Sequence, residues 1–336
     1  MILHDSSHLF TAVPAGWHDG TVETSLSLPP IGILAATYAL EAIKGFGPQK
    51  FRELRDQGLT APQVLAEPSR LPTAGKRGDL FRSEIARIGE KEMSEFYDRA
   101  SRQLERAHQN RSHILLYGDE GYPKNLWQSN NPVPVLFVRG NLEILRNTKV
   151  VACVGSRGIE GQYKDRQHDF AMFAAKAGWV VASGFAMGAD SVAHRGAYEA
   201  RGATVCVMPS GLDRPFPPEN KSLWAEFIEY PRAVMVSEFP FGTPAASLTL
   251  RKRNKTIVGL ARGVLIGQSS YKGGAMNAYR FAREQRKPTA SFKPDGREGT
   301  SGNQAIIEDG GGREFAVDHP DERAWGAWLD ELSYLT

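Results

Sequence analysis

Apolar and polar positions change rhythm about halfway along this chain. In residues 31–65 apolar side chains recur at helical spacing, with Leu34, Tyr38 and Ala42 on one stripe, as a period of about 3.6 residues requires. Pro29-Pro30 opens this stretch and Gly45-Phe46-Gly47-Pro48 interrupts it, so short helices around a tight turn are predicted. A Gly-x-Gly turn before a helix can hold one phosphate on its N–H groups, here with Lys50, but a plain helix–helix turn is the preferred reading. Residues 79–107 predict one charged helix with Phe81, Ile85, Ile88 and Phe96 as its apolar stripe. Residues 1–30 have Pro, Gly and Ser with little periodicity and predict an irregular lead-in.

From Lys149 onward short, nearly continuous apolar runs alternate with amphipathic stretches. Strands are predicted at 150–154, 179–182, 204–208, 233–236, 264–266 and, more weakly patterned, 289–292. Helices are predicted at 165–177, 190–200, 221–229, 254–261 and 276–284. Strands buried on both faces and separated by helices define an α/β fold with a doubly wound parallel sheet of extended Rossmann-like type. The expected organisation is a helical N-terminal region at 1–110 (helix-hairpin-helix or SAM-like), the α/β core at 111–312, and a short acidic tail at 313–336. In such sheets ligands sit beyond the carboxyl ends of the strands, so the loops there should carry the function.

Those loops are rich in small residues. They are Gly155-Ser156-Arg157-Gly158; Ser183-Gly184-Phe185-Ala186-Met187-Gly188-Ala189-Asp190; Ser210-Gly211-Leu212-Asp213; Ser237-Glu238-Phe239-Pro240-Phe241-Gly242; and Lys272-Gly273-Gly274. Glycine and serine let backbone N–H groups and a helix dipole face an anion, and Arg157 adds a fork suited to phosphate. One such loop signifies only a tight turn. Several along one sheet edge predict an anion-binding rim. Asp190 and His194 fall four apart on one helix face and are assigned to support, Asp190 as an N-cap or loop anchor and His194 as a helix–sheet contact. Asp213 is expected to brace its own proline-rich turn, and Glu238 lacks an acid partner.

Composition sets limits. The chain has 336 residues, 41 % hydrophobic and 24 % charged, which is ordinary for a folded protein of about two domains. No run approaches the roughly 18 apolar residues of a membrane span, and the start lacks the form of a secretory signal, so a soluble cytoplasmic protein is expected. Cys153 and Cys206 lie in apolar runs and predict buried thiols rather than a disulfide or metal site. Net charge is only +3, but residues 251–287 hold ten Lys and Arg against one acid, and residues 295–336 hold ten acids against three Arg. Cations with aromatic surface nearby (Phe216, Phe239, Phe241, Tyr271) match single-stranded nucleic acid binding, although such Phe residues also serve to pack loops. A dinucleotide fingerprint, a P-loop, a nucleophile elbow and metal-ligand spacing are all lacking, so no catalytic group, cofactor or metal is assigned.

The motif series resembles the DprA/Smf family (DNA-processing protein A). It comprises Val154-Gly155-Ser156-Arg157, Ser183-Gly184 through Gly188, Asp190, Ala193-His194 and Ala197, then Gly211-Leu212-Asp213 through Asn220, Ser237-Glu238 through Gly242, Arg253-Asn254, and Gly299-Thr300 to Asn303. Tyr122-Pro123 and Pro134 to Gly140 are also similar, so the likeness covers about 113–312. It implies a non-catalytic protein that binds single-stranded DNA, forms homodimers and assists a RecA-type recombinase in DNA uptake or recombination. It implies DNA contacts at the loop Gly155-Ser156-Arg157 and at Lys221, Arg251 and Arg253; the glycine loops and the basic run add Ser183, Gly184, Gly188, Gly211, Asn254, Lys255, Lys272, Gly273 and Gly274 as expected phosphate-binding residues. The sequence departs from the pattern at Lys272-Gly273-Gly274-Ala275-Met276-Asn277-Ala278, where the family has Ser-Gly-Ser-Leu-x-Thr-Ala. Gln268 replaces its Glu, Leu250 replaces an aromatic residue, and the C-terminal winged-helix module has no counterpart. Two rival readings are a nucleotide-binding sensor or hydrolase, and an interaction protein, either in an anti-phage role, the latter docking a partner through Trp325 and Trp328.

Overall fold

A computed structural model describes residues 26–130 and 132–335; most of the expected lead-in, and the start of the chain, fall outside them. The helices α1 (Ile31–Ala42), α2 (Pro48–Asp56), α3 (Ala61–Ala66), α4 (Gly75–Ala86) and α5 (Glu90–Gln109) come first. Residues 79–107 thus form parts of two helices rather than one. Gly89 is extended and its N–H donates to Glu92 Oε2 at 3.1 Å, which starts α5 afresh. At the turn 45–47 Lys50 is engaged elsewhere, because its Nζ bonds both oxygens of Glu53 at 2.5 and 2.7 Å.

The sheet then builds up from β1 (Ser112–Leu116), α6 (Lys124–Gln128), β2 (Val135–Gly140), β3 (Val150–Val154), α7 (Gly161–Lys176), β4 (Val180–Ser183) and α8 (Ala189–Glu199). It continues through β5 (Thr204–Val207), α9 (Lys221–Glu229), β6 (Ala233–Ser237), α10 (Ser247–Leu260), β7 (Gly263–Ile266) and α11 (Ala275–Glu284). Last come β8 (Thr289–Phe292), α12 (Ser301–Glu308), β9 (Gly312–Phe315) and α13 (Glu322–Ser333). The strand order is β1-β2-β6-β5-β4-β3-β7-β8-β9. Seven strands from β6 to β9 are parallel, and β2 and β1 extend the sheet antiparallel beyond β6. The reversal between β3–β4–β5 and β3–β7–β8 is a switch point, which opens a crevice at the carboxyl ends of β3, β4 and β7.

One face of the sheet carries two adjoining aromatic-rich clusters: α7, α8 and α13 bury Phe170, Phe315, Trp325 and Trp328, and beside them α1 and α5 pack Leu34 and Tyr38 with Ile114, Phe137 and Phe227. The opposite face is covered by α6, α10 and α11, with Leu126, Ile257, Tyr279 and Phe281 on Ala152, Val180 and Val205. The segment expected as an acidic tail is therefore built into the fold. Trp325 is fully buried and meets Phe170 edge-on at 5.7 Å, Trp328 meets Phe315 at 5.7 Å, and β9 is a sheet strand. The acids of α13 lie on its outer face, such as Glu331 paired with Arg313 at 2.8 Å. Trp325 and Trp328 are not free to dock a partner, since removing either from this layer would expose its ring.

Candidate nucleic-acid interface

At the switch point a cavity of about 480 Å³ opens between three loops and two helix starts. The loop after β3 supplies Gly155, Ser156 and Arg157; the loop after β7 supplies Ser269, Ser270, Gly273 and Gly274; α10 supplies Ser247, Leu250, Arg251, Arg253 and Asn254. Val154, Ala186, Asp190, Ala275 and Asn277 complete the wall. Of the residues expected at an anion site, Gly155, Ser156, Arg157, Arg251, Arg253, Asn254, Gly273 and Gly274 meet here.

The sequence marks the helix start too late, and this changes the site. Helix α10 begins at Ser247, where Thr249 Oγ1 accepts the Ala246 N–H at 2.8 Å. Arg251 and Arg253 are therefore helical, as Lys255 is, instead of preceding the helix. Residues two apart on a helix point about 200° apart, so Arg251 is exposed while Arg253 turns inward and is 5 % exposed. Arg253 Nη1 donates to Asp190 Oδ2 at 3.4 Å. Burial pushes the Asp190 carboxyl up and Arg253 opposes that push. Lys255 shares the Arg251 side of the helix but lies over the Phe281 ring at 5.0 Å, outside the cavity wall.

Other expected contacts serve the scaffold. Ser183 is fully buried and donates to the Cys153 carbonyl at 2.6 Å. Gly184 is covered by the Arg253 guanidinium, and Gly211 faces the Pro240 carbonyl and Asp213. Gly188, at φ 74°, caps α8 and passes the Ser156 and Arg157 carbonyls so closely that a side chain would collide with them. Gly188 thus takes the N-cap place, and Asp190, the second residue of α8, anchors the glycine loop by accepting the Ala186 N–H at 3.3 Å. Lys221, at the start of α9, and Lys272 are exposed beyond the cavity wall. Phe239 and Phe241 are buried, Phe241 edge-on to Phe137 at 5.2 Å, while Tyr271 is 57 % exposed.

His194 is buried, with Nδ1 2.7 Å from Thr204 Oγ1. Since that hydroxyl donates to the Val181 carbonyl, Nδ1 carries the proton. Asp213 reaches past its own turn: Oδ1 accepts the Gly242 N–H at 2.8 Å and Oδ2 pairs with Arg106 at 3.2 Å, which joins two rim loops to α5. Glu238 accepts from Thr256 Oγ1 at 2.9 Å, and burial raises its pKa. Both cysteines are buried free thiols, and among the described residues no cluster of His, Cys, Asp and Glu could hold a metal.

Serines 247, 269 and 270 and Asn277 escaped the sequence reading. The signal for the middle pair lay in Asn303, whose Oδ1 takes the Ser269 N–H at 2.8 Å and whose Nδ2 ties the Gly267 and Phe292 carbonyls. Gln268, at the position where an acid was expected, holds the Gly-Ser-Arg loop. Its carbonyl accepts from Ser156 at 2.7 Å and its Oε1 from the Glu160 N–H at 3.1 Å.

The family model for DNA recombination-mediator protein A matches residues 113–319, well over half of the chain. The chain belongs to this family. The DprA/Smf protein Smf of Escherichia coli is 32 % identical over 211 residues, 62 % of this chain and 55 % of that protein. The chain spans about half the length of the Smf proteins it matches. Among solved structures, DNA processing protein A of Streptococcus pneumoniae superposes with a TM-score of 0.65 at 23 % identity, over 83 % of this chain and 93 % of that one. That of Helicobacter pylori, described for its single-stranded DNA binding mode, gives 0.58 at 24 % identity over 66 % and 97 %. Both carry this DprA-type fold, and the family match covers the whole cavity wall. Among the described residues no helix is long and apolar enough to cross a membrane.

Proposed function

We propose that the chain binds single-stranded DNA across the cavity at the carboxyl edge of its sheet, without catalysing a reaction on it. One observation carries this reading: Arg157, Arg251 and Arg253, from two separate elements, line one cavity whose wall also holds three glycines, four serines and two asparagines, beside Asp190 and the apolar Val154, Ala186, Leu250 and Ala275. Cations flanking small, amide-exposing loops suit a phosphate backbone. Tyr271, exposed beside that wall, offers a stacking surface for a base. The DNA-binding description of the H. pylori relative supports the same ligand. Pairing into a homodimer in the cytoplasm and assistance to a RecA-type recombinase belong to the proposal on the strength of family membership.

A second reading follows from the cavity's size. About 480 Å³ lies within the 300–1,000 Å³ typical of small-ligand pockets, so a free nucleotide also fits. Titrating the protein with a labelled oligonucleotide and with mononucleotides, at two salt concentrations, separates the two. Micromolar or tighter oligonucleotide binding that weakens with salt supports the DNA reading. Saturable mononucleotide binding with no oligonucleotide binding refutes it.

A further inference from the structure

The floor of the cavity carries more positive charge than a passing strand needs. Arg253 lines the cavity while 95 % buried, as its 5 % exposure implies. A guanidinium has five N–H donors. Among the described residues one of these reaches an acceptor, Asp190, at a long 3.4 Å, and the buried Nε has none. Leaving charged donors unpaired inside a protein is costly, so this arrangement calls for an anion.

The charge balance says which anion. Three arginines, Arg157, Arg251 and Arg253, face the cavity against one carboxylate, Asp190, an excess of two. An internal phosphodiester carries one negative charge. A phosphate monoester carries about 1.5 to 2 near pH 7, on three oxygens able to accept several donors. The start of α11, with Gly274 and Ala275 in the same wall, adds backbone N–H groups at the positive end of a ten-residue helix.

We propose that this cavity seats a terminal phosphate monoester of a nucleic-acid strand, held by Arg253 at its floor and by Arg157 and Arg251 at its mouth. The proposal rests on the strand-binding reading and narrows it to recognition of a strand end. The monoester has two sources, a strand end and a free nucleoside monophosphate, and the experiment separates them.

The full chain is titrated with one single-stranded oligonucleotide sequence bearing a 5′-phosphate, a 3′-phosphate or neither, followed by fluorescence anisotropy, and each complex is competed with a nucleoside monophosphate. One phosphorylated form is expected to bind about tenfold tighter than the unphosphorylated strand. Arg253→Lys, which keeps the charge but loses the fork, should shrink that ratio. Because the ratio is measured first on the unsubstituted protein, a poorly folded variant does not blunt the test. Equal affinity for all three strands overturns end recognition and leaves strand binding standing. A nucleoside monophosphate that binds tighter than any strand overturns the strand as the source. No binding by any strand overturns this proposal and the strand-binding reading together.

Discussion

The Arg253 guanidinium occupies the space that a side chain on Gly184 would fill: a methyl group there would lie 0.9 Å from Nη1. Gly184 therefore admits a buried cation from α10 to the end of β4. Its backbone is not in the left-handed region, so alanine is excluded by crowding alone. Gly184→Ala should cost about 1–3 kcal/mol, the usual penalty for overpacking, and should drive Arg253 away from Asp190. Denaturant midpoints and oligonucleotide affinity should fall together. A variant with wild-type stability and affinity would show that the guanidinium is not held there.

Asp190 is the other half of this arrangement. Asp190→Ala leaves Arg253 buried without a counter-charge and frees the Ala186 N–H that Asp190 accepts. Breaking a buried pair from one side costs about 3–5 kcal/mol; the 3.4 Å separation places the expected loss near the lower end. Adding Arg253→Met should restore part of the loss, because no charge is then stranded. A double-mutant cycle of urea midpoints checks this, and strictly additive losses would count against the pairing.

His194 should make the fold acid-sensitive. Burial, followed by the nearby Arg253, holds its pKa down to about 3, against an ordinary 6.5. The unfolded chain takes up the proton as pH falls below 6.5, whereas the folded chain resists until about 3. The stabilising contribution is therefore complete above 6.5 and is lost on acidification through that window, at about 1.4 kcal/mol per pH unit. From pH 6.5 to 5 the loss from this residue is about 2 kcal/mol. His194→Gln should flatten the decline in urea stability between pH 7 and 5, and equal slopes for the two proteins would refute the assignment.

The parallel sheet was legible because strands buried on both faces form nearly unbroken apolar runs. The strand expected at 289–292 and the helix expected at 221–229 have those same ends in the structure. The antiparallel edge was less visible. His113 to Leu116 and Val135 to Val138 are apolar enough, but β1 is followed only by the five-residue α6 and β2 by a short 3-10 turn, neither of them the long crossover helix that marks a parallel unit. In the site, the charge run 251–255 revealed a basic surface but not the helix phase that buries Arg253 and turns Arg251 out. That phase depends on where α10 begins, and Ser247-Leu248-Thr249 contains no Asp, Asn or Pro to announce it. The buried role of α13 was hidden because its acids dominate the composition while its tryptophans carry the packing.

Trp325 puts the C-terminal helix to a direct test. It is fully buried between Phe170 at 5.7 Å and Phe173 at 5.8 Å. Trp325→Ala should cost about 3–5 kcal/mol as a cavity opens in this layer. A loss below about 0.5 kcal/mol, the range of ordinary surface substitutions, would mean that α13 is peripheral.

Arg157 tests the rim itself, because it is exposed and has little structural work to lose. Each phosphate neutralised on a single strand contributes about −0.7 to the slope of log affinity against log salt. Arg157→Ala should make that slope shallower by about this amount and weaken binding to all sequences alike, since a phosphate contact reads no base. Arg251→Ala, which lines the same cavity from α10, should do the same independently, so the double variant should lose about 1.4 from the slope. Lys221→Ala, outside the cavity wall, should change it less. The measurement is a series of oligonucleotide titrations between 50 and 300 mM salt, with unfolding midpoints as the control for folding. Slopes unchanged in both arginine variants would place the nucleic acid on another face of the molecule.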